Sequence, residues 1–192
     1  SGLLVMTSPN DSLIVSNGLV FQGGDETGQL TAGVIALQGG MTVAAFIPNH
    51  FVASGTHKVV LNGARTQAIG FAATTSSRFQ NLEIAITGGF PAVLNASTVT
   101  VAGDLSVTSG QLTPSGRRLN VGGNFAITGA GVLNMTNAGD SLFITGSATF
   151  AGGSTATTLT NGLLRVVGDF TQSAVTHVAS FSPSGVHKTM LG

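Results

Sequence analysis

Apolar and polar residues alternate along most of this chain, in runs too short for helices. Residues 98–107 read TVTVAGDLSV, 117–127 read RRLNVGGNFAI, 141–150 read SLFITGSATF and 163–172 read LLRVVGDFTQ. Each run is a short alternating strand, a small glycine-containing turn and a second alternating strand. Side chains in a strand point to opposite faces with period two. Val99, Val101, Leu105 and Val107 therefore share an inward face, as do Leu119, Val121, Phe125, Ile127, Leu142 and Ile144. The outward set is mostly Thr, Ser, Asn, Asp and Arg. No segment sustains a helical period, and the glycine density disfavours helix.

These runs recur at a steady interval. The residues just before the turns are Val101, Val121, Ile144 and Val166, with steps of 20, 23 and 22. Upstream, Val15, Leu37, Val60 and Ile84 extend the series. A second, longer period is superimposed. GLLVMTSPNDSLIV (2–15) matches GVLNMTNAGDSLFI (131–144) at an offset of 129, and SGTHKVVLNG (54–63) returns as SGVHKTMLG (184–192) at 130. From Val15 to Ile144 six rungs fill one unit, a mean of 21.5 residues.

Short strands in a constant period, with glycine at the corners, predict an all-β parallel β-solenoid with rungs of about 20–23 residues, six rungs per 129-residue unit. A Greek-key sandwich also has strands every 8–12 residues, but does not predict a unit made of whole rungs. Residues 1–192 read as one continuous solenoid segment in which 2–63 matches 131–192. Equivalent residues are expected at equivalent coil positions, so that Leu4, Leu13, Leu133 and Leu142 are all buried. With no cap visible, the chain is expected to be a slice of a longer array or one subunit of an end-to-end fibre.

Composition narrows the function. Only 7% of the 192 residues are charged, against about 25% in a typical soluble domain. Seven Lys+Arg balance seven Asp+Glu, so there is no global electrostatic footprint for nucleic acid or anionic membrane. The absence of cysteine excludes disulfides and thiolate metal sites. No apolar stretch is long enough for a spanning helix.

Candidate chemistry is sparse. The acids are Asp11, Asp25, Glu26, Glu83, Asp104, Asp140 and Asp169. Asp11 and Asp140 are one position in successive units. Asp104 and Asp169 follow glycine at corners, where Asp can bond its own turn. Asp25–Glu26 reads as a solvated corner, with Ser154 and Thr155 in its place one unit later. His57-Lys58 and His187-Lys188 recur with the unit and read as corner contacts or outer-face charge. Arg117-Arg118 reads as a solvated strand start, or as a contact for an acidic glycan. Asn10, Asn95 and Asn134 open N-x-S/T sequons. Phe125, Phe150 and Phe170 follow the inward register. No catalytic, cofactor-binding or metal-ligating residue is expected.

The phrases SGTHKVVLNG, SRFQNLEI (77–84), VTVAGDLSVTSGQLT (99–113), RRLNVGGNFAITG (117–129) and LRVVGDFTQ (164–172) resemble repeat arrays of large secreted bacterial surface proteins. More distantly, they resemble the β-solenoid shafts of filamentous-haemagglutinin-type adhesins and autotransporter passengers. The resemblance implies an extracellular or cell-surface location and a structural or adhesive role. The expected function is a non-enzymatic structural shaft, with neighbouring repeats or identical subunits joined head to tail. The alternatives are an adhesin or glycan-binding module and a polysaccharide lyase- or hydrolase-like solenoid.

Overall fold

The structure is a computed structural model that describes residues 2–72 and 75–192. Among these residues there are nineteen short strands and no helix. The first three coils hold β1 (Ser12–Val15) and β2 (Leu19–Phe21), β3 (Val34–Leu37) and β4 (Met41–Val43), and β5 (Lys58–Leu61) and β6 (Gln67–Phe71). The next three coils hold three strands each. They are β7 (Asn81–Ala85), β8 (Pro91–Leu94) and β9 (Thr98–Val101); β10 (Leu105–Ser109), β11 (Gln111–Thr113) and β12 (Arg118–Val121); and β13 (Phe125–Ile127), β14 (Val132–Leu133) and β15 (Ser141–Ile144). The last two coils hold β16 (Ala148–Phe150) and β17 (Leu163–Val166), then β18 (Phe170–Gln172) and β19 (Lys188–Leu191).

Every strand pairing is parallel, and the strands form three stacked faces. The first face runs β1-β3-β5-β7-β10-β13-β16-β18, eight coils in all. The second face runs β2-β4-β6-β8-β11-β14, and the third β9-β12-β15-β17-β19. Single bridges extend the third face below β9, through Met6–Leu30, Leu30–Ala53, Val52–Arg78 and Phe79–Val101. One bridge, Met135–Leu159, extends the second face beyond β14. The protein is a parallel β-solenoid of about eight turns.

The core is a bundle of columns. Val101, Val121, Ile144 and Val166 stand directly above one another on the third face, and all are buried. Upstream, the sequence series departs from the structure in two ways. The column containing Val15 and Leu37 continues through Leu61, not Val60, and then through Ile84 to Val107, not Val101. Val59 and Val60 are both apolar, so alternation alone does not settle which faces inward; Val60 points outward beside Glu83.

The second departure has a larger consequence. In β1–β2, β3–β4, β5–β6 and β7–β8 the strand-turn-strand motif rounds the corner from the first face to the second. In β9–β10, β12–β13, β15–β16 and β17–β18 it rounds the corner from the third face to the first. β15 is the sequence equivalent of β1, yet the strand six coils above β1 on the same face is β16. The six rungs of one 129-residue unit therefore climb five and two-thirds coils, and the next unit is turned by one face. The expectation that equivalents occupy equivalent coil positions is corrected accordingly.

Local packing survives this turn. Phe21–Phe51 and Phe150–Phe181, equivalent pairs, both have ring centroids 4.8 Å apart. Val34 N–H donates to the Asp11 carbonyl at 2.9 Å, and Leu163 N–H to the Asp140 carbonyl at 2.9 Å. Gly33 and Gly162 have φ of 79° and 78°. A Cβ on either would lie 2.6 Å from the carbonyl oxygen of Asp11 or Asp140. Both positions thus need glycine for conformation and for space. Leu133 and Leu142 are buried as expected, whereas Leu4 and Leu13 are half-buried; among the described residues no further coil lies below theirs.

A side-chain ladder seals the corner between the third and first faces. Asp104 N–H donates to Asn81 Oδ1 (3.1 Å), Asn124 N–H to Asp104 Oδ1 (2.7 Å), Ser147 N–H to Asn124 Oδ1 (2.9 Å) and Asp169 N–H to Ser147 Oγ (3.1 Å). Asp104 thus bonds the next coil, not its own turn as its place after a glycine suggests. Corner N–H groups that the strands cannot reach find acceptors one coil away.

Replacing Ile144 with Asp places an unpaired charge in a closed column and is expected to cost several kcal/mol. Thr149, outward between Ala126 and Thr171, should tolerate Asp within about 0.5 kcal/mol. Chemical denaturation of the two variants checks this; equal losses would mean the faces are wrongly assigned.

Candidate functional site

The acids are dispersed, and most are occupied by the backbone. Asp11 Oδ2 accepts the N–H groups of Thr7 (2.8 Å) and Ser8 (2.9 Å). Its equivalent Asp140 is buried and accepts Asn137 N–H at 2.9 Å and the Gly116 N–H. Glu83 is paired with Lys58 on the outside of the first face. Among the described residues no three His, Asp or Glu side chains converge as a metal site would require.

Asp25 and Glu26 part company. Asp25 is exposed, and hydrogen bonds from Thr27 and Asn49 hold its carboxyl below the usual range. Glu26 is buried, so the solvated-corner reading fails for it. Its Oε1 accepts Leu4 N–H at 3.4 Å, Oε2 has no partner, and burial pushes its carboxyl up. One unit later Thr155 fills the slot and its hydroxyl bonds the next coil's carbonyls, the neutral solution to the same position.

Two of the four histidines, His50 and His57, are buried. His57 faces the core, not the surface, with its ring edge-on to Phe51 at 5.9 Å and both nitrogens unpartnered. Desolvation lowers its pKa to about 4. Its repeat partner His187 is half-buried and its Nδ1 lies 2.7 Å from the Asn161 carbonyl. His50 is buried, with Nδ1 3.1 Å from the Gly24 carbonyl, and its Nε2 accepts Ile47 N–H at 3.3 Å. His177 is exposed. Phe125, Phe150 and Phe170 stack in the core at 5.7 and 5.4 Å. Of the sequon asparagines, Asn10 and Asn95 are exposed, while Asn134 is half-buried and bonded to Gln111.

What sequence reasoning caught only in part, through Arg117-Arg118, lies on the third face. Outward side chains there form two columns: Thr98, Arg118, Ser141, Leu163 and Lys188, and beside it Thr100, Asn120, Phe143, Arg165 and Met190. Arg118 and Arg165, 47 residues apart, line one cavity of about 350 Å³ with Phe143 and Asn120. The Arg118 guanidinium lies 4.2 Å from the Phe143 ring centroid, and its Nε–H donates to Asn120 Oδ1 at 2.8 Å. Such a cation–π contact orients the guanidinium. Neither arginine is in an ion pair among the described residues, and no carboxylate lines the cavity. Arg117 takes no part in it. The available signal was the register: Arg118, Phe143 and Arg165 are all outward in strands that stack.

Comparison with known proteins adds no relative: the chain matches no protein-family model, no curated protein and no solved structure.

His57 makes stability depend on pH. Its folded pKa lies below the ordinary 6.5, so the unfolded chain holds the extra proton between about pH 4 and 6.5. Its contribution is complete above pH 6.5 and is lost as the pH falls through that window. In His57→Leu the loss of melting temperature between pH 7 and pH 4 should be smaller than in the parent. Parallel pH curves would place the histidine outside the core.

Proposed function

We propose that this chain is a non-enzymatic structural segment of an extracellular or cell-surface fibre, a stiff shaft that works by length and resistance to unfolding. The observation that carries this reading is the repetition of one parallel joint, unbroken through eight coils on the first face. Interior columns and backbone pairing run from coil to coil, the corner ladder joins the last five coils, and most of the described acids are bonded to the scaffold. An outer surface of Thr, Ser, Asn and Gly with little charge favours close packing, since little repulsion opposes it.

The partners in this reading are neighbouring repeats or identical subunits, head to tail. The end coils are compatible with it. Leu13, Val15 and Leu19 are interior positions that are only half-buried in the first coil, and Leu191, which tops the Val166 column, is 61% exposed in the last. Among the described residues, strands β1 and β19 each have one unpaired edge. A further coil laid on either end would bury those side chains and pair those edges. A contact between unlike ends does not close on itself and so propagates. The resemblance to secreted bacterial repeat arrays agrees with this role and location.

Electron microscopy of the purified chain at rising concentration tests the proposal. Unbranched filaments of constant width, lengthening by about 38 Å per eight-coil subunit, are the expected result. A monodisperse monomer at every concentration would contradict self-assembly.

A further inference from the structure

We propose that the third-face cavity binds an acidic polysaccharide, its charge carried by carboxylate or sulfate groups, with Arg118 and Arg165 as the two anion contacts. This does not rest on end-to-end assembly; it concerns the side of the shaft.

Charge on this face is one-sided. The chain is neutral as a whole, but its third-face strands carry Arg118, Arg165 and Lys188 and no acid. The strands of this face thus carry an excess of positive charge, and no acid lines the cavity, although the net charge is zero. Arg118 is held by the Phe143 ring and by Asn120, so its terminal N–H groups face the cavity already oriented. A fixed guanidinium loses less freedom when it takes up an oxyanion, and its planar fork suits bidentate contact. Arg165 stands directly above Phe143 and two strands above Arg118's strand, about 9.6 Å along the axis. Two cations at that separation call for two anionic groups on one extended ligand.

The rest of the lining selects sugar. Thr100, Asn120 and Thr145 offer neutral donors and acceptors suited to hydroxyl groups. Phe143 is half-buried and gives an apolar edge for ring C–H groups. Its face is occupied by Arg118, which removes the stacking platform a nucleobase would use. The face itself is an in-register stack of parallel strands, compatible with a polymer lying along the shaft.

The test measures equilibrium binding at fixed ionic strength to polygalacturonate, dextran sulfate, neutral dextran and polyglutamate. At least one acidic polysaccharide should bind, and neutral dextran should not. The double variant Arg118→Gln with Arg165→Gln should raise the Kd at least about tenfold. Arg65→Gln, a cation outside the cavity, should leave it unchanged. Both cavity arginines are exposed and outside any described ion pair, so the substitutions remove only the surface contacts of Arg118 to Phe143 and Asn120 and should lower the melting temperature only slightly. Preference between the first two polymers identifies the anion as carboxylate or sulfate. Four results would overturn the proposal: no binding to either acidic polysaccharide, equal binding of neutral dextran or polyglutamate, equal loss in Arg65→Gln, or an unaffected double variant.

Discussion

Parallel, in-register stacking is the constraint from which the rest of this molecule follows. Each coil lies on the one below with residues aligned, so a side chain must suit its counterparts above and below as well as its own turn. Apolar positions answer this by forming columns such as Val101–Val121–Ile144–Val166. Polar corner positions answer it by bonding between coils, as Asn81, Asp104, Asn124, Ser147 and Asp169 do. Irregular stretches are still tied to the stack. The segments between β2 and β3, and between β16 and β17, meet the stack through the single residues Leu30 and Leu159.

Much of this architecture is legible in the amino-acid sequence. Alternation in TVTVAGDLSV and RRLNVGGNFAI identifies the inward face directly, because only one register places every aliphatic residue on one side. The coil period follows from the distance between turns. The turn of the unit is far less visible, and its trace is a single irregular step. Corner residues are spaced 20–24 apart except from Ile84 to Val101, where the step is 17. That shortfall is the lost third of a coil: the motif moves from one corner to another as β9 becomes the first full strand of the third face. Period analysis averages such a step away, whereas stacking geometry does not.

The site is harder to read for a related reason. Arg118, Phe143 and Arg165 come from three successive coils and share no local motif. The conspicuous pair in the chain is Arg117-Arg118, yet only one of its members enters the cavity. Recurrence misleads in the same way for His57. A residue that returns with the unit can be structural without being on the surface, and this one is enclosed beside Phe51.

The central claim is that the coil, and not the 129-residue unit, sets which residues are neighbours. The chain has no native cysteine, so paired cysteines read this out directly. Ala126 lies beside Thr149 on the first face. Were a unit six whole coils, β15 would replace β16 on that face and Phe143 would stand beside Ala126 instead. A short bismaleimide should cross-link Ala126→Cys with Thr149→Cys rapidly, and Ala126→Cys with Phe143→Cys poorly. The reverse order of rates would contradict the turned unit and the column assignments built on it.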